Sequence, residues 1–303
     1  MKLIFLGTSG SIPTPQRGLP AIALRHEREL LLFDCAEGTQ RQMTRAKLSP
    51  LKINAIFITH LHGDHFLGLA GLVQTMSLLD RERKLEVYCP RGEGKRIKRY
   101  LQIPHYTLTF EVAVHELEPE EEVKRRGYRI LTSDAEHSVP SLAYALVENQ
   151  RPGKFYPEKA VALGVKPGPD FSRLKSGKSI RLRDGSVVKP EQVMGSPRAG
   201  RKIVYVGDTR PCESIIKLAR DADVLIHDCT LSDELADKAA ENTHSTPSEA
   251  AKVAKRANVK QLVLLHVSPR YKDDSILLKQ AQRIFSNTVV ARDLMELDVK
   301  FQE

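Results

Sequence analysis

Short apolar runs rich in β-branched residues recur along the chain and predict a protein built largely of strands. Several of these runs are continuous rather than alternating, which is typical of strands that are buried on both faces. The predicted strands cover residues 2–6, 30–33, 53–59, 85–89, 129–132, 142–147, 203–206, 224–226, 262–265 and 289–299. Strands of this kind need other elements to cover them.

Helical patterns lie between the strands. Residues 66–79 carry apolar side chains at helical spacing, which predicts a helix. The sequence Thr246-Pro247-Ser248-Glu249 combines a capping box with a proline in the first turn, and it predicts a helix that runs through residues 250–257. Because strands alternate with helices, the predicted fold class is α/β, with helices packed on sheets.

Residues 151–202 break this pattern and hold the whole surplus of positive charge. The segment contains six prolines, seven glycines, thirteen Lys/Arg and four Asp/Glu, a net charge of +9. The whole chain also carries +9, so the remaining residues, with 34 basic and 34 acidic side chains, are neutral. A basic insertion of this kind is typical of an arm that binds nucleic acid, and a solvated variable loop is the alternative.

Cysteine use and hydropathy exclude several classes of protein. The four cysteines lie far apart without a Cys-x-x-Cys pair, which argues against a disulfide framework or a cysteine zinc ribbon. No run approaches the roughly 18 apolar residues of a membrane span, and the apolar run 3–6 is too short for a signal peptide. The loop 7–11 lacks a following Lys-Ser/Thr, so no nucleotide cofactor is expected. We expect a cytoplasmic protein without a membrane partner.

The strongest chemical signal is a cluster of histidine and aspartate directly after a predicted strand, in Thr59-His60-Leu61-His62-Gly63-Asp64-His65. On an extended segment, His60 and His62 face one point, and the turn at Gly63 brings Asp64 and His65 to a second point. Imidazole and carboxylate groups are ligands for zinc and similar divalent ions. The spacing therefore predicts a site for two adjacent metal ions, which we expect to be Zn²⁺.

Three further strand ends offer the same chemistry. His137, Asp208 and His266 each follow a predicted strand. A carboxylate such as Asp208 can bridge two ions about 3.5–4 Å apart. Asp34, at another strand end, is expected to hydrogen-bond one of the ligating histidines or to cap its strand.

These motifs resemble the metallo-β-lactamase superfamily, through His-x-His-x-Asp-His and the later histidine, aspartate and histidine. Further motifs resemble one branch of it, the ribonuclease Z family of tRNA 3′-end processing endonucleases. They are Gly7-Thr8-Ser9-Gly10-Ser11 with Pro13-Thr14, the segment 33–42, Leu163-Gly164-Val165-Lys166-Pro167-Gly168-Pro169, and His244-Ser245-Thr246. The resemblance covers essentially the whole chain. It implies a single αββα sandwich over residues 1–303, with a protruding flexible basic arm at about 153–178 within the insertion.

The resemblance also implies roles for individual residues. His60, His62 and His137 would hold the first metal, Asp64, His65 and His266 would hold the second, and Asp208 would bridge them. Asp64 could accept a proton as well as bind metal, and His244 would act as a general acid oriented by Asp228. The family's usual His-Glu-Ala-Thr stretch is His227-Asp228-Cys229-Thr230 here, which shortens the carboxylate. The arm would bind substrate through Lys154, Lys159, Lys166, Arg173, Lys175 and Lys178.

The function implied by the resemblance is a zinc-dependent endoribonuclease. It would remove the 3′ trailer of precursor tRNA, leaving a 3′-hydroxyl on the tRNA and a 5′-phosphate on the trailer, and it would work as a homodimer. A hydrolase of a small phosphodiester or ester is the alternative, but it leaves the basic insertion without a role. A non-catalytic RNA-binding protein is a second alternative, which the complete set of seven candidate ligands disfavours.

Overall fold

The computed structural model describes residues 1–301, which form sixteen strands and eleven α-helices. The strands are β1 (Lys2–Gly7), β2 (Ala21–His26), β3 (Glu29–Phe33), β4 (Ile53–Phe57), β5 (Leu85–Pro90), β6 (Val112–Leu117), β7 (Glu122–Arg125), β8 (Tyr128–Asp134), β9 (Leu142–Glu148), β10 (Ile180–Arg181), β11 (Val187–Val188), β12 (Lys202–Tyr205), β13 (Val224–Asp228), β14 (Gln261–Leu265), β15 (Thr288–Val290) and β16 (Glu296–Asp298). The helices are α1 (Thr39–Arg45), α2 (Gly63–Phe66), α3 (Leu69–Leu78), α4 (Gly94–Leu101), α5 (Pro157–Ala162), α6 (Pro169–Lys175), α7 (Pro190–Val193), α8 (Glu213–Ala219), α9 (Ala236–Glu241), α10 (Pro247–Arg256) and α11 (Ser275–Gln282). Two short 3₁₀ turns cover Pro50–Lys52 and Asp233–Leu235.

The chain divides into two compact units, residues 1–147 with 201–303, and residues 148–200. The larger unit contains two seven-stranded sheets, in the orders β16-β1-β2-β3-β4-β5-β6 and β15-β14-β13-β12-β9-β8-β7. Strands β3 to β6 run parallel to one another, and so do β12 to β15.

Three apolar layers show how the larger unit is stacked. One layer, with Phe5, Phe57 and Tyr144, fills the space between the inner faces of the two sheets. A second packs α1, α3 and α4 on the outer face of the first sheet. A third packs α8, α10 and α11 on the second sheet. Helix, sheet, sheet and helix follow one another, which confirms the predicted αββα architecture.

The helix predicted over residues 66–79 is two helices, α2 and α3, with a break at Leu67–Gly68. Gly68 donates its N–H to the carbonyl of Cys35, and a Cβ at Gly68 would lie only 1.9 Å from the carbonyl oxygen of Ala36. This close approach of two backbones requires glycine. By contrast, the helix predicted from Thr246 is confirmed, because Thr246 and Glu249 form both hydrogen bonds of the capping box.

The single strand predicted over residues 289–299 is wrong. Its first part is β15 in the second sheet and its last part is β16 in the first sheet. The turn between them carries Asp293, whose carboxylate accepts from the Thr8 hydroxyl and the Gly18 N–H. Apolar periodicity could not distinguish one long strand from two short ones that bury their side chains in different layers.

The unit of residues 148–200 has its own secondary structure and its own small core. Helices α5, α6 and α7 and the β10–β11 hairpin enclose the buried side chains of Ala160, Val165, Leu174, Ile180, Val188 and Val193. The flexible arm that the family resemblance implies, at about 153–178, lies within this unit. The structure gives this segment a folded arrangement, since six apolar residues spread over 34 positions converge on one cluster. The flexibility of the arm stays a prediction.

Among the described residues, no helix combines the length and the apolar character that crossing a membrane requires.

Candidate metal centre

The predicted metal ligands meet where several strands end. His60 and His62 follow β4, Asp208 follows β12, and His266 follows β14. The carboxyl ends of parallel strands are where α/β sheets gather ligands. His137 comes after β8. Strand β4 belongs to the first sheet, and β8, β12 and β14 belong to the second, so both sheets contribute side chains to one point.

Three imidazoles form the first half of the site. The Nδ1 atom of His62 lies 3.1 Å from Nε2 of His60 and 3.1 Å from Nε2 of His137. Oδ2 of Asp208 lies 3.8 Å from the His60 nitrogen and 4.0 Å from the His137 nitrogen. These four donor atoms lie within 4.8 Å of one another, so they could hold one metal ion.

The second half of the site uses the other oxygen of Asp208. Oδ1 of Asp208 lies 3.3 Å from Nε2 of His65 and 3.3 Å from Nε2 of His266. Oδ2 of Asp64 is 3.2 Å from the same His266 nitrogen and also accepts the Ser11 N–H at 2.8 Å. Because its two oxygens face two different groups of ligands, Asp208 has the geometry of a bridging carboxylate.

The buried charges of this cluster favour a bound cation. Within the described chain, Nε2 of His65 and Oδ1 of Asp208 are buried and have no hydrogen-bond partner. Burial lowers the pKa of His65, but the charges of Asp208 and Asp34 outweigh it and hold that pKa well above its usual value. The two carboxylates therefore favour positive charge at this point, and a set of five imidazoles and two carboxylates suits divalent ions.

Hydrogen bonds from a second ring of residues orient the ligands. Asp34 is fully buried and accepts from Nδ1 of His65 at 2.8 Å, so the bond expected from Asp34 is present. It also accepts from the hydroxyl of Tyr205 at 2.6 Å and from the N–H of Thr59 at 2.7 Å. The hydroxyl of Thr59 in turn contacts Nδ1 of His60.

Sequence reasoning missed three of these orienting residues. Tyr205 contacts Asp34 from the opposite sheet. The Thr230 hydroxyl lies 2.7 Å from Nδ1 of His266, and the Thr243 carbonyl accepts from Nδ1 of His137 at 3.1 Å. Thr230 is part of a motif that was recognised, but its partner was not predictable because 36 residues separate the two.

We expect Asp34→Asn to weaken metal binding by about 10–100-fold, the usual effect of losing an orienting carboxylate beside a ligand histidine. Asparagine keeps the size of the side chain but cannot supply the charge that accepts from His65 and Tyr205. Competition with a fluorescent chelator measures the affinity, and Glu82→Gln, an exposed carboxylate elsewhere, is the control. Equal metal affinity in both variants would contradict the orienting role of Asp34.

Three non-glycine residues at the cluster have a left-handed backbone conformation. Asp34, Thr243 and His266 adopt left-handed conformations, with φ of 55°, 57° and 61°. Gly207 shares this conformation and approaches Thr59 so closely that a Cβ would lie 2.9 Å from its hydroxyl oxygen. Residues other than glycine adopt this region at a cost of about 1–3 kcal/mol, and functional sites commonly contain them.

His244 and Asp228 form a separate pair beside the metal cluster. Nδ1 of His244 donates to Oδ2 of Asp228 at 2.9 Å, so the aspartate reaches the histidine despite being shorter than the family's usual glutamate. Burial lowers the pKa of His244, but the charge and hydrogen bond of Asp228 outweigh it and raise the pKa to about 9. Nearby bound cations would lower this pKa again, because like charge disfavours the imidazolium.

An open cleft of about 670 Å³ gives access to the site. Asp64, His137, Asp208 and His244 line it. Its lining includes further polar groups that sequence reasoning did not single out, namely Lys238, Asn242 and Arg270. All nine predicted metal-ligating and catalytic residues thus lie in or around one site.

The six predicted substrate-binding residues belong to the unit of residues 148–200, and all six are exposed. Lys159 lies over the ring of Tyr156 and Lys175 over the ring of Phe155, while Arg173 pairs with Asp170 at 3.6 Å. Their contact with a substrate stays a prediction.

Comparison with known proteins agrees with this geometry. Residues 178–267 match the family described as "Beta-lactamase superfamily domain", and residues 1–151 match "Anti-Pycsar protein Apyc1". A metallo-β-lactamase fold protein, YhfI from Bacillus subtilis, superposes with a TM-score of 0.71 at 18% identity, covering 98% of each chain. Fold and site together define a protein of the metallo-β-lactamase fold with a candidate metal centre.

Proteins with higher sequence identity to this chain identify its family within this class. Ribonuclease Z from Methanosarcina acetivorans is 49% identical over 303 residues, covering 100% of this chain and 99% of the relative. Ribonuclease Z from Archaeoglobus fulgidus is 48% identical with the same coverage. The crystal structure of the short form of human tRNase Z superposes with a TM-score of 0.72 at 32% identity, covering 99% of this chain and 100% of that chain. The chain belongs to the ribonuclease Z family.

Proposed function

We propose that this protein removes the 3′ trailer of precursor tRNA as a metal-dependent endoribonuclease, leaving a 3′-hydroxyl on the tRNA and a 5′-phosphate on the trailer. The observation that carries the proposal is the set of six donor side chains gathered around Asp208 in a chain that matches ribonuclease Z relatives over its whole length. The similarity to these relatives does not favour the alternative, a hydrolase of a small ester or phosphodiester.

Two divalent ions, which we propose to be Zn²⁺, would be held by the residues of the cluster. His60, His62 and His137 would hold one ion, Asp64, His65 and His266 would hold the other, and Asp208 would contact both. When bound, such ions lower the pKa of water and offset negative charge on the phosphate.

The remaining chemistry falls to two proton-carrying groups of the chain. We propose that the Asp64 carboxylate accepts a proton from the attacking water. In support, the Ser11 N–H fixes one of its oxygens, and Asp64 lines the cleft. His244 uses Nδ1 to bind Asp228, which leaves Nε2 to donate a proton to the departing 3′-oxygen. An acid is required there because an alkoxide is a poor leaving group at neutral pH.

We expect His244→Ala to slow cleavage of precursor tRNA by about 10²–10⁴-fold, the usual contribution of a general acid. Asp228→Asn should cause a smaller loss of the same kind, because the imidazole remains but loses its orienting charge. Single-turnover rates measure both effects, with the metal content determined on the same samples. A near-normal rate for His244→Ala with full metal content would contradict the acid role. An unchanged cleavage rate for Asp228→Asn would contradict the orientation of His244 by Asp228.

We propose that the unit of residues 148–200 binds the tRNA. Its supporting feature is charge, since eleven Lys/Arg and five Asp/Glu give it a net charge of +6 within 53 residues. Exposed lysines such as Lys166 and Lys178 are the kind of group that neutralises phosphates. The folded core of the unit supports a fixed arrangement of these charges.

We also propose a homodimer. Four large apolar side chains on and beside α3 and α4 are strongly exposed, namely Leu67, Leu78, Leu79 and Ile103. A second copy of the chain would remove them from water, and burial of such side chains favours association. Light scattering should then give twice the chain mass of 34.0 kDa, and a mass of one chain would contradict the dimer. The cytoplasmic location expected from the sequence stays a prediction.

A comparison of substrate classes tests the proposed function. The purified, metal-loaded protein is supplied in parallel with a precursor tRNA bearing a 3′ trailer, with a nitrophenyl phosphodiester and with a β-lactam. We expect kcat/KM to be highest for the precursor tRNA. A higher kcat/KM for either small substrate would overturn the proposal in favour of the small-substrate hydrolase.

A further inference from the structure

A second, basic cavity lies at the edge of the first sheet that is opposite to the metal centre. It is formed by the β2–β3 turn, the segment that leads into β4 and the segment that leads into β5, and it measures about 630 Å³. Lys52 precedes β4 and lines the cavity, whereas His60 follows β4 and belongs to the metal cluster. At about 3.3 Å per residue, the two ends of this segment are about 25 Å apart.

Five cationic side chains from these three segments line the cavity: Arg25, Arg28, Lys47, Lys52 and Arg83. None of the five forms an ion pair with any carboxylate in residues 1–301. Two glutamates also line it, but Glu29 is already engaged by the hydroxyl of Tyr128 at 2.6 Å and by Arg125. With five cations against two glutamates, the lining of the cavity carries a net surplus of positive charge.

This surplus is not a general property of the larger unit. The larger unit has 36 basic and 33 acidic residues, so its charges nearly balance. Beside the cavity, Arg81 is only 3% exposed and directs its guanidinium to the carbonyls of Leu51, Ile53, Arg83 and Lys84. Within the described chain, no carboxylate pairs with Arg81 either, so a buried cation adds to the positive potential.

We propose that this cavity binds a small anion with two or more phosphate groups, of the nucleotide class. Its volume lies in the range of about 300–1,000 Å³ that is usual for small-ligand sites, and it is concave, unlike a surface that tracks a nucleic-acid duplex. Several cations on separate segments can each reach a different phosphate, and charge-assisted contacts of this kind are strong. Leu48 and Leu51 supply an apolar wall for a sugar or base.

Calorimetric titration of the metal-loaded protein with adenosine 3′,5′-bisphosphate tests the proposal. The variant Lys47→Gln/Lys52→Gln removes two cavity charges from exposed positions, and Lys95→Gln/Lys98→Gln removes two charges from α4 as the matched control. We expect at least about tenfold weaker binding in the cavity variant only, because two charge-assisted contacts are lost. Equal affinity in the cavity variant and the control would overturn the proposal.

Two further arms of the experiment identify the source of the phosphates. Sodium sulfate at equal ionic strength should not displace the bisphosphate, and displacement would mean that the cavity attracts anions without selecting phosphates. A short oligoribonucleotide should bind with the same affinity to the cavity variant and to the control. If instead the affinity for the oligonucleotide falls when Lys47 and Lys52 are replaced, while the affinity for the bisphosphate does not, the cavity is an RNA contact and the proposal is wrong. Precursor cleavage by the cavity variant is measured separately, so failure here is distinguishable from failure of the proposed nuclease function.

Discussion

Asp64→Ala should abolish cleavage of precursor tRNA while leaving the protein folded. The carboxylate lies 3.2 Å from Nε2 of His266 and 3.8 Å from Nε2 of His65, so its loss removes one ligand from the second group. It also removes the proposed proton acceptor. We expect a fall in kcat/KM of at least about 10³-fold, because the loss of a general base alone costs about 10²–10⁴-fold.

The test combines kinetics with elemental analysis. Wild-type protein should contain two divalent ions per chain and lose activity on treatment with a chelator. Asp237→Ala, which removes an exposed carboxylate from α9, is the matched control and should keep both metals and full activity. Melting curves establish that the Asp64 variant is folded. Fully active wild-type protein with one ion or none would contradict the two-metal proposal.

Removal of the unit of residues 148–200 should separate RNA binding from chemistry. Arg151 and Arg198 exchange two backbone hydrogen bonds, of 2.8 and 2.9 Å, like the last pair of a hairpin. A two-residue Asn-Gly turn can therefore replace residues 152–197. An excision limited to residues 153–178 would instead expose Ile180, Val188 and Val193, which belong to the small core.

We expect the shortened protein to bind both metals and to hydrolyse a small activated phosphodiester, while its affinity for precursor tRNA collapses. Each lost phosphate contact on a duplex should also lower the slope of log affinity against log salt by about 0.9. In the intact chain, Lys166→Gln/Lys178→Gln should reduce affinity and slope, whereas Lys252→Gln/Lys255→Gln on α10 should not. Normal binding and cleavage by the shortened protein would refute the RNA-binding role of this unit.

The metal cluster could be anticipated because its parts have local signals. His60, His62, Asp64 and His65 follow one strand within six residues, and the predicted strand ends at His137, Asp208 and His266 supplied the rest. Parallel strands bring such ends together without any knowledge of the loops. Asp228 was predictable as a partner of His244 only through the family motif, since nothing local joins two residues sixteen positions apart.

Other features had no local signal. Strand β6 mixes apolar with polar residues, and β7 is a short polar strand at the edge of its sheet, so neither stood out as an apolar run. The contact of Tyr205 with Asp34 joins two sheets across 171 residues. The core of the basic unit was hidden because its apolar residues are single positions among glycines, prolines and charges. In each case the structure is stabilised by tertiary packing between distant residues, and the hydrophobic periodicity of the sequence does not reveal such contacts.

Mapping the cut in a precursor tRNA tests the central claim most directly. The precursor is labelled at its 5′ end in one reaction and at its 3′ end in another, and the products are resolved to the nucleotide with wild-type protein and with Asp64→Ala. We predict a single cut at the start of the 3′ trailer, a 3′-hydroxyl on the tRNA, a 5′-phosphate on the trailer and no product with Asp64→Ala. Cuts scattered along the RNA, a 2′,3′-cyclic phosphate end, or an unchanged precursor with fully metal-loaded wild-type protein would contradict the account.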